Sequence, residues 1–321
     1  MANRGGLRAL ALFFLAPFTG EFVLGNQALT ALPSLLLLAP LYGGGAVLIR
    51  EVGRRTRATW PVMGFLAVAY ALVEEGLVDQ MVFNPGYLGL PDFADWAEVP
   101  GLGISARLTV DAIALHAIGS TLVPIVLVEA FDPRPAAPWL RRRGLAVVTT
   151  VFVVGCVGLG VLQAVDLGFV GTWPQFVVTT AVVLGLVAAA AVRARRPVVQ
   201  QHGPPAHRPR HVVMGVLAVT SGFWVVDLVV GGWVAAGGGA LVLLVGLALL
   251  VRESHRPGWS PAHHLAAATG ALATYLWLAP INTAQLGVPP VTGLAGNVLF
   301  GVAAVVLLAL AWRAHRTRLP A

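Results

Sequence analysis

The sequence predicts an all-α fold, a polytopic integral membrane bundle of about ten transmembrane helices with cytoplasmic N and C termini. Three observations carry that expectation. Apolar residues make up 57% of the chain and charged residues 11%, against about 25% charged in ordinary soluble domains. Mean hydropathy is +0.81. The apolar residues also gather in runs long enough to cross a hydrocarbon core of ~30 Å. These values exclude a water-soluble globule, a collagen and a disordered chain. The single cysteine, Cys156, excludes a disulfide scaffold.

The runs fall at approximately 7–25, 31–49, 60–80, 108–130, 144–166, 174–192, 212–231, 233–251, 264–281 and 294–312. When the first enters from the inside, every second joint is basic. Those joints hold Arg50, Arg54, Arg55 and Arg57, then Arg134 and Arg141 to Arg143, then Arg193, Arg195, Arg196, Arg208 and Arg210, then Arg252 and Arg256. Arg4, Arg8, Arg313, Arg316 and Arg318 lie on the same side, and only Arg107 falls outside. Such segregation is the positive-inside pattern, and an odd number of spans scrambles it. All 21 basic residues are arginine, which with the Ala, Val, Leu and Gly excess points to a GC-rich bacterial genome and an inner membrane. Loop arginines account for the basic balance with the lipid bilayer as partner, and no nucleic acid is called for. Tryptophans 60, 96, 139, 173, 233, 259 and 312 near span ends fit interfacial belts. The first span, which carries Glu21 and no clear small-x-small site, reads as retained and not as a signal peptide.

Organisation follows charge. Residues 1–192 carry spans 1 to 6 with an acidic and histidine cluster, 193–211 form a basic cytoplasmic linker, and 212–321 carry spans 7 to 10 as a scaffold. Twelve of the fourteen acids lie in 1–166, leaving Asp227 and Glu253. Spans 5 to 10, Asp227 apart, read as lipid-facing or packing helices, with small faces at Ala235 and Gly239 and at Gly185 and Ala189. Gly43–Gly44–Gly45 in span 2 invites close packing or a looser helix. Residues 81–107 form the one long outer loop, where Phe83, Tyr87, Phe93 and Trp96 interleave with Asp92, Asp95 and Glu98.

Intramembrane acids are the informative residues, because a charge at bilayer depth costs at least ~2.5–3.5 kcal/mol on insertion scales. At ~1.5 Å per residue from the cytoplasmic start of each span, Glu21 sits about 21 Å up, Glu74 and Glu75 about 21–23 Å and Asp227 about 22 Å. His116 lies about 13 Å below the outer end of span 4 by the same rise. Glu75 and Asp79 share a helix face, and Glu74 lies about 100° round, in line with Tyr70, so the two glutamates are expected to point apart. His116 and Ser120 share a face; Asp111 is nearer the outer water. Asn26, Gln80, Asn84 and Asn282 at outer ends suit a polar vestibule. Substrate or proton binding is therefore assigned to Glu21, Glu74, Glu75, Asp79, Asp111, His116 and Asp227. No metal site is assigned and the cofactor is unknown, although carboxylates with His116 have the donors for a divalent ion.

Other signals serve structure. Glu129 should pair with a cytoplasmic arginine, and Arg50–Glu51 mark the end of span 2. His202, His207 and His211 lack a closed ligand set. No phosphate-cradling loop, Gly-x-Ser-x-Gly elbow or His-Glu-x-x-His occurs.

The segment AYALVEEGLVDQMVFNP, followed by a helix with ALHAIGSTLVP, resembles the CPBP family of intramembrane endopeptidases, which includes the CAAX prenyl proteases and Abi proteins. The resemblance covers about 60 residues. It implies that Glu74 and Glu75 match the family's glutamate pair and His116 its first histidine, with a glutamate activating water for peptide hydrolysis. Asp79 stands where the family has arginine, and neither a second deep histidine nor a histidine at the family spacing before Asn282 is present. The chain as a whole looks like uncharacterised bacterial multipass proteins. The leading expectation is binding or translocation of a small solute or cation through an outward-facing polar cavity, coupled to protonation of Glu75 or Glu21. The alternatives are a CPBP-like peptidase or a non-catalytic accessory subunit.

Overall fold

The computed structural model describes residues 4–57, 59–87, 97–198 and 202–318. Each apolar run becomes one membrane-length helix: α1 Arg4–Val23, α2 Leu29–Gly53, α3 Thr59–Val78, α4 Ala106–Glu129, α5 Arg142–Leu167, α6 Trp173–Ala194, α7 Pro209–Val229, α8 Gly232–Ser254, α9 Pro261–Gln285 and α10 Pro290–Arg316. A short antiparallel pair, β1 Glu98–Val99 and β2 Ile104–Ser105, precedes α4. Asp92, Phe93, Asp95 and Trp96 lie outside the described residues.

Burial sorts the helices into two layers. In α1 to α4 and α9, 50–61% of the apolar window is buried, against 11–28% in α5 to α8 and α10. The first group is the core and the second the lipid-facing shell. Among the spans expected to face lipid or to pack, α9 is the one that packs into the core. Its small residues (Ala266, Ala268, Gly270, Ala271) allow α9 to pack closely on α7, and its Leu265, Leu272 and Leu278 join Phe22 of α1, Leu127 of α4 and Phe300 of α10 in one apolar cluster. A second cluster joins Leu12, Leu41, Tyr42, Met63, Tyr70 and Ile125 of α1 to α4.

The glycine run in α2 has a steric reason. A Cβ on Gly43 would stand 1.9 Å from the Phe13 carbonyl oxygen, and one on Gly45 would stand 2.6 Å from the Tyr70 ring. These two positions admit α1 and α3 to opposite approaches on α2. Gly239 likewise receives Phe223, whereas Gly185 is exposed with nothing within 4 Å, so the close helix contact expected there is not made among the described residues.

Three core helices abandon α winding for π winding: α1 at Phe18–Val23, α3 at Val73–Val78 and α4 at Ile113–Leu122. Pro17 opens the first and Pro124 follows the third; a missing proline N–H frees a carbonyl and loosens the local ladder. In α3 the Asp79 N–H donates to the Glu74 carbonyl, five residues back, at 2.7 Å. These segments carry Glu21, the Glu74–Glu75 pair and His116.

The arginine-rich end is knotted by ion pairs. Arg50, fully buried, donates to Glu51 (2.6 Å), to Glu129 (3.0 Å) and to the carbonyls of Pro135 and Ala137 (each 2.8 Å). Its guanidinium lies 3.6 Å from the centre of the Trp139 ring. Arg54 also binds Glu129, and Arg55 binds Glu51 at 2.8 Å. Both expectations for this end, an arginine partner for Glu129 and a terminal Arg50–Glu51 pair, are met.

Candidate functional site

The centre is built by three helices. The π turn of α1 packs on that of α4, and α3 flanks α4 on another side. Close approach is possible because residue 20 is glycine: a Cβ there would fall 2.5 Å from the Ser120 Cβ. Between these helices His116 directs Nε2 at both glutamates, 2.7 Å from Glu75 Oε1 and 2.8 Å from Glu74 Oε2. All three side chains are buried.

Adjacent glutamates converging on one nitrogen correct the expectation that they point apart. The 100° separation belongs to an α-helix. A π turn is wider and sets successive side chains closer in angle, so both can reach inward from α3.

Hydrogen bonding fixes the imidazole. The Ser120 hydroxyl donates to the His116 carbonyl at 3.0 Å and lies 3.4 Å from Nδ1. A proton shared between Nε2 and Glu75 Oε1 accounts for their 2.7 Å approach. Glu74 Oε2, Glu75 Oε2 and the Tyr70 hydroxyl are buried without hydrogen-bond partners among the described residues. Glu21 occupies the α1 side, where it accepts from the Tyr42 hydroxyl at 2.8 Å within electrostatic reach of His116, Glu74 and Glu75. The Tyr42 and Tyr70 rings stand 5.4 and 6.5 Å from the His116 ring. Tyr275 of α9 presses its hydroxyl toward Gly119, where a Cβ would meet it at 1.8 Å.

The other assigned residues fall elsewhere. Asp79, one turn beyond Glu75, accepts from the Tyr87 hydroxyl at 2.6 Å and from Gln163 of α5. Asp227 is not brought to the glutamates. It pairs with Arg107 at 2.5 Å, with Asp111 within electrostatic reach, and so answers the one arginine outside the basic pattern. The vestibule divides as well. Asn282 donates to Leu24 and Asn26, Gln80 accepts from the Gly171 N–H, and Asn84 accepts from the Gly86 N–H. His207 pairs with Glu253 at 2.9 Å. The open polar cavity is replaced by a closed centre: Glu21, Glu74, Glu75 and His116 are 7, 2, 6 and 1% exposed. A small cavity of about 10 Å³ lies off another face of α4, against Ile118, Phe223 and Leu272.

Sequence reasoning passed over Tyr42 and Tyr275. The signal was available, because only four tyrosines occur and three sit inside different spans. A hydroxyl at that depth needs a polar partner.

Among the described residues, Glu74, Glu75 and His116 are the group of three or more ligating side chains whose donor atoms lie within 4.8 Å of one another. The comparisons leave its chemistry open and give the CPBP likeness no support. No curated protein and no solved structure matches the chain. The sequence profile of an uncharacterized membrane protein family matches residues 10–321. Because that match takes in nearly the whole ten-helix bundle, the chain belongs to this membrane protein family.

Proposed function

We propose that the chain binds a small cation at the Glu74–Glu75–His116 centre and carries it across the membrane against protons held on Glu21. The convergence of two carboxylates and an imidazole on one buried point carries this reading. Ionisable groups at bilayer depth are costly, and those that persist mark ion or proton pathways. The centre is negative, which favours a cation over a neutral solute. Glu21 stands one tyrosine away, close enough for its charge to weigh on the ligand and distant enough to load a proton separately. The closed arrangement is the occluded member of a set in which the centre opens in turn to each side. Arginine segregation supports a bacterial inner membrane with both termini in the cytoplasm.

Proteoliposomes of the full chain with a trapped pH dye test the coupling. Imposed gradients of Na⁺, K⁺, Mn²⁺ or Zn²⁺ should drive proton movement for at least one ion, and Glu21→Gln and Glu75→Gln should each lower it at least tenfold. Unchanged movement in both variants rejects the coupling.

A second reading is favoured by the same convergence, which the CPBP resemblance implies: peptide hydrolysis within the membrane by water activated at Glu74 or Glu75. The departure at Asp79, held by Tyr87 and Gln163, weighs against it. Cleavage of a membrane peptide library that is lost in His116→Ala would establish it in place of carriage.

A further inference from the structure

We infer that the ion taken by this centre is a divalent transition metal, held by Glu74, Glu75 and His116 with one coordination position left for water. The inference rests on the cation-binding reading above and names its ligand class. Donor chemistry decides first. An imidazole nitrogen suits zinc, iron, cobalt or nickel, whereas sites for magnesium and calcium are built from oxygen. Charge decides next. Two carboxylates in a low-dielectric interior are neutralised by a dication and left unbalanced by Na⁺ or K⁺.

Geometry agrees. The three donor atoms already lie within 4.8 Å of one another. Around a tetrahedral ion with bonds of ~2.0–2.1 Å, donors stand ~3.3–3.4 Å apart. Nε2 is 2.7 and 2.8 Å from the two carboxylate oxygens, so opening by about half an ångström admits such an ion. The imidazole is also set for the task. Nε2 faces both glutamates and the Ser120 hydroxyl stands 3.4 Å from Nδ1, so an ion that displaces the proton at Nε2 meets a ring oriented from its other nitrogen, the outer-shell device of metal-binding histidines.

A separate observation points to a ligand. The Tyr70 hydroxyl is buried, has no hydrogen-bond partner among the described residues, and lies one α turn before Glu74 within electrostatic reach of Glu74, Glu75 and Glu21. A phenol in that position is placed to bond water on the open coordination site. Three protein ligands with one open position make an exchangeable site, whereas four would make a structural one.

Equilibrium binding to the full chain in detergent tests this without any transport. After dialysis against Zn²⁺ or Co²⁺, the wild type should retain one ion per chain, and Co²⁺ should give the visible spectrum of a low-coordinate site. Mg²⁺, Ca²⁺ and Na⁺ at equal concentration should not displace it. Affinity should fall at least tenfold in His116→Ala and in Glu74→Gln, with size-exclusion profiles establishing that each variant folds. Tyr70→Phe should keep the ion and shift the Co²⁺ spectrum, and His207→Ala should leave binding unchanged. Absence of Zn²⁺ and Co²⁺ binding in the wild type, or its full retention in a folded His116→Ala, overturns the inference. Cation-driven proton flux without transition-metal binding would leave the carrier reading standing and reject this one. A bound metal without flux would do the reverse.

Discussion

Two neighbouring glutamates reach one histidine nitrogen because their segment of backbone is not an α-helix. That detail also sets what each side chain contributes. Glu75 holds the better aligned bond to Nε2, while Glu74 Oε2 is equally near but satisfies no hydrogen-bond geometry. Glu21 has a dedicated donor in Tyr42. Replacing that donor by Tyr42→Phe leaves a buried carboxylate oxygen without its partner, a change worth about 1–3 kcal/mol. The expected outcome is a lower unfolding midpoint in detergent with the fold intact, read by circular dichroism. An unchanged midpoint would mean that Glu21 finds another donor.

At the scale of elements, the π turns of α1, α3 and α4 and the ion-paired ends do opposite jobs. The π turns gather polar groups where the bilayer penalises them, and π turns within α-helices occur disproportionately at functional sites. The ion pairs at the arginine-rich end tie α2 to α4 and to the segment that enters α5, through Arg50, Glu51, Glu129 and Trp139. Arg50 is fully buried, so removing it takes one of several partners from Glu51 and Glu129 and this donor from the Pro135 and Ala137 carbonyls. Arg50→Met should destabilise the bundle by about 1–3 kcal/mol through the buried carbonyls left unpaired, measurable as loss of thermal stability in detergent. It should leave Co²⁺ binding at the distant glutamates intact in the fraction that remains folded. A variant as stable as wild type would show the network to be solvated in practice.

For the molecule as a whole, five well-buried helices are wrapped by five that face lipid. Orientation then follows from charge placed outside the bundle. On a Cys156→Ser background, His202→Cys should react with a membrane-impermeant maleimide only after spheroplasts are opened, and Pro100→Cys should react while they are intact. The reverse pattern would invert the topology.

The sequence by itself determined what hydropathy and charge control locally: the number of spans, their limits to within a few residues, and the positions of Glu21, Glu74, Glu75 and His116 along them. It also located Glu129 and Arg50–Glu51 at one end, because a charge near a span terminus has few partners to choose from. Tertiary structure alone decided which of those acids meet. Depth is a one-dimensional coordinate set by residue count. Direction around a helix depends on winding, and the π turns that swing Glu74 beside Glu75 leave no periodic mark in an apolar stretch. Asp227 instead meets Arg107, nine residues from His116 toward the start of α4, because α8 packs on both α7 and α4 and holds the end of α7 there. The centre is closed because the glycines at 20 and 45 let three helices and a tyrosine come together more tightly than any sequence pattern reveals.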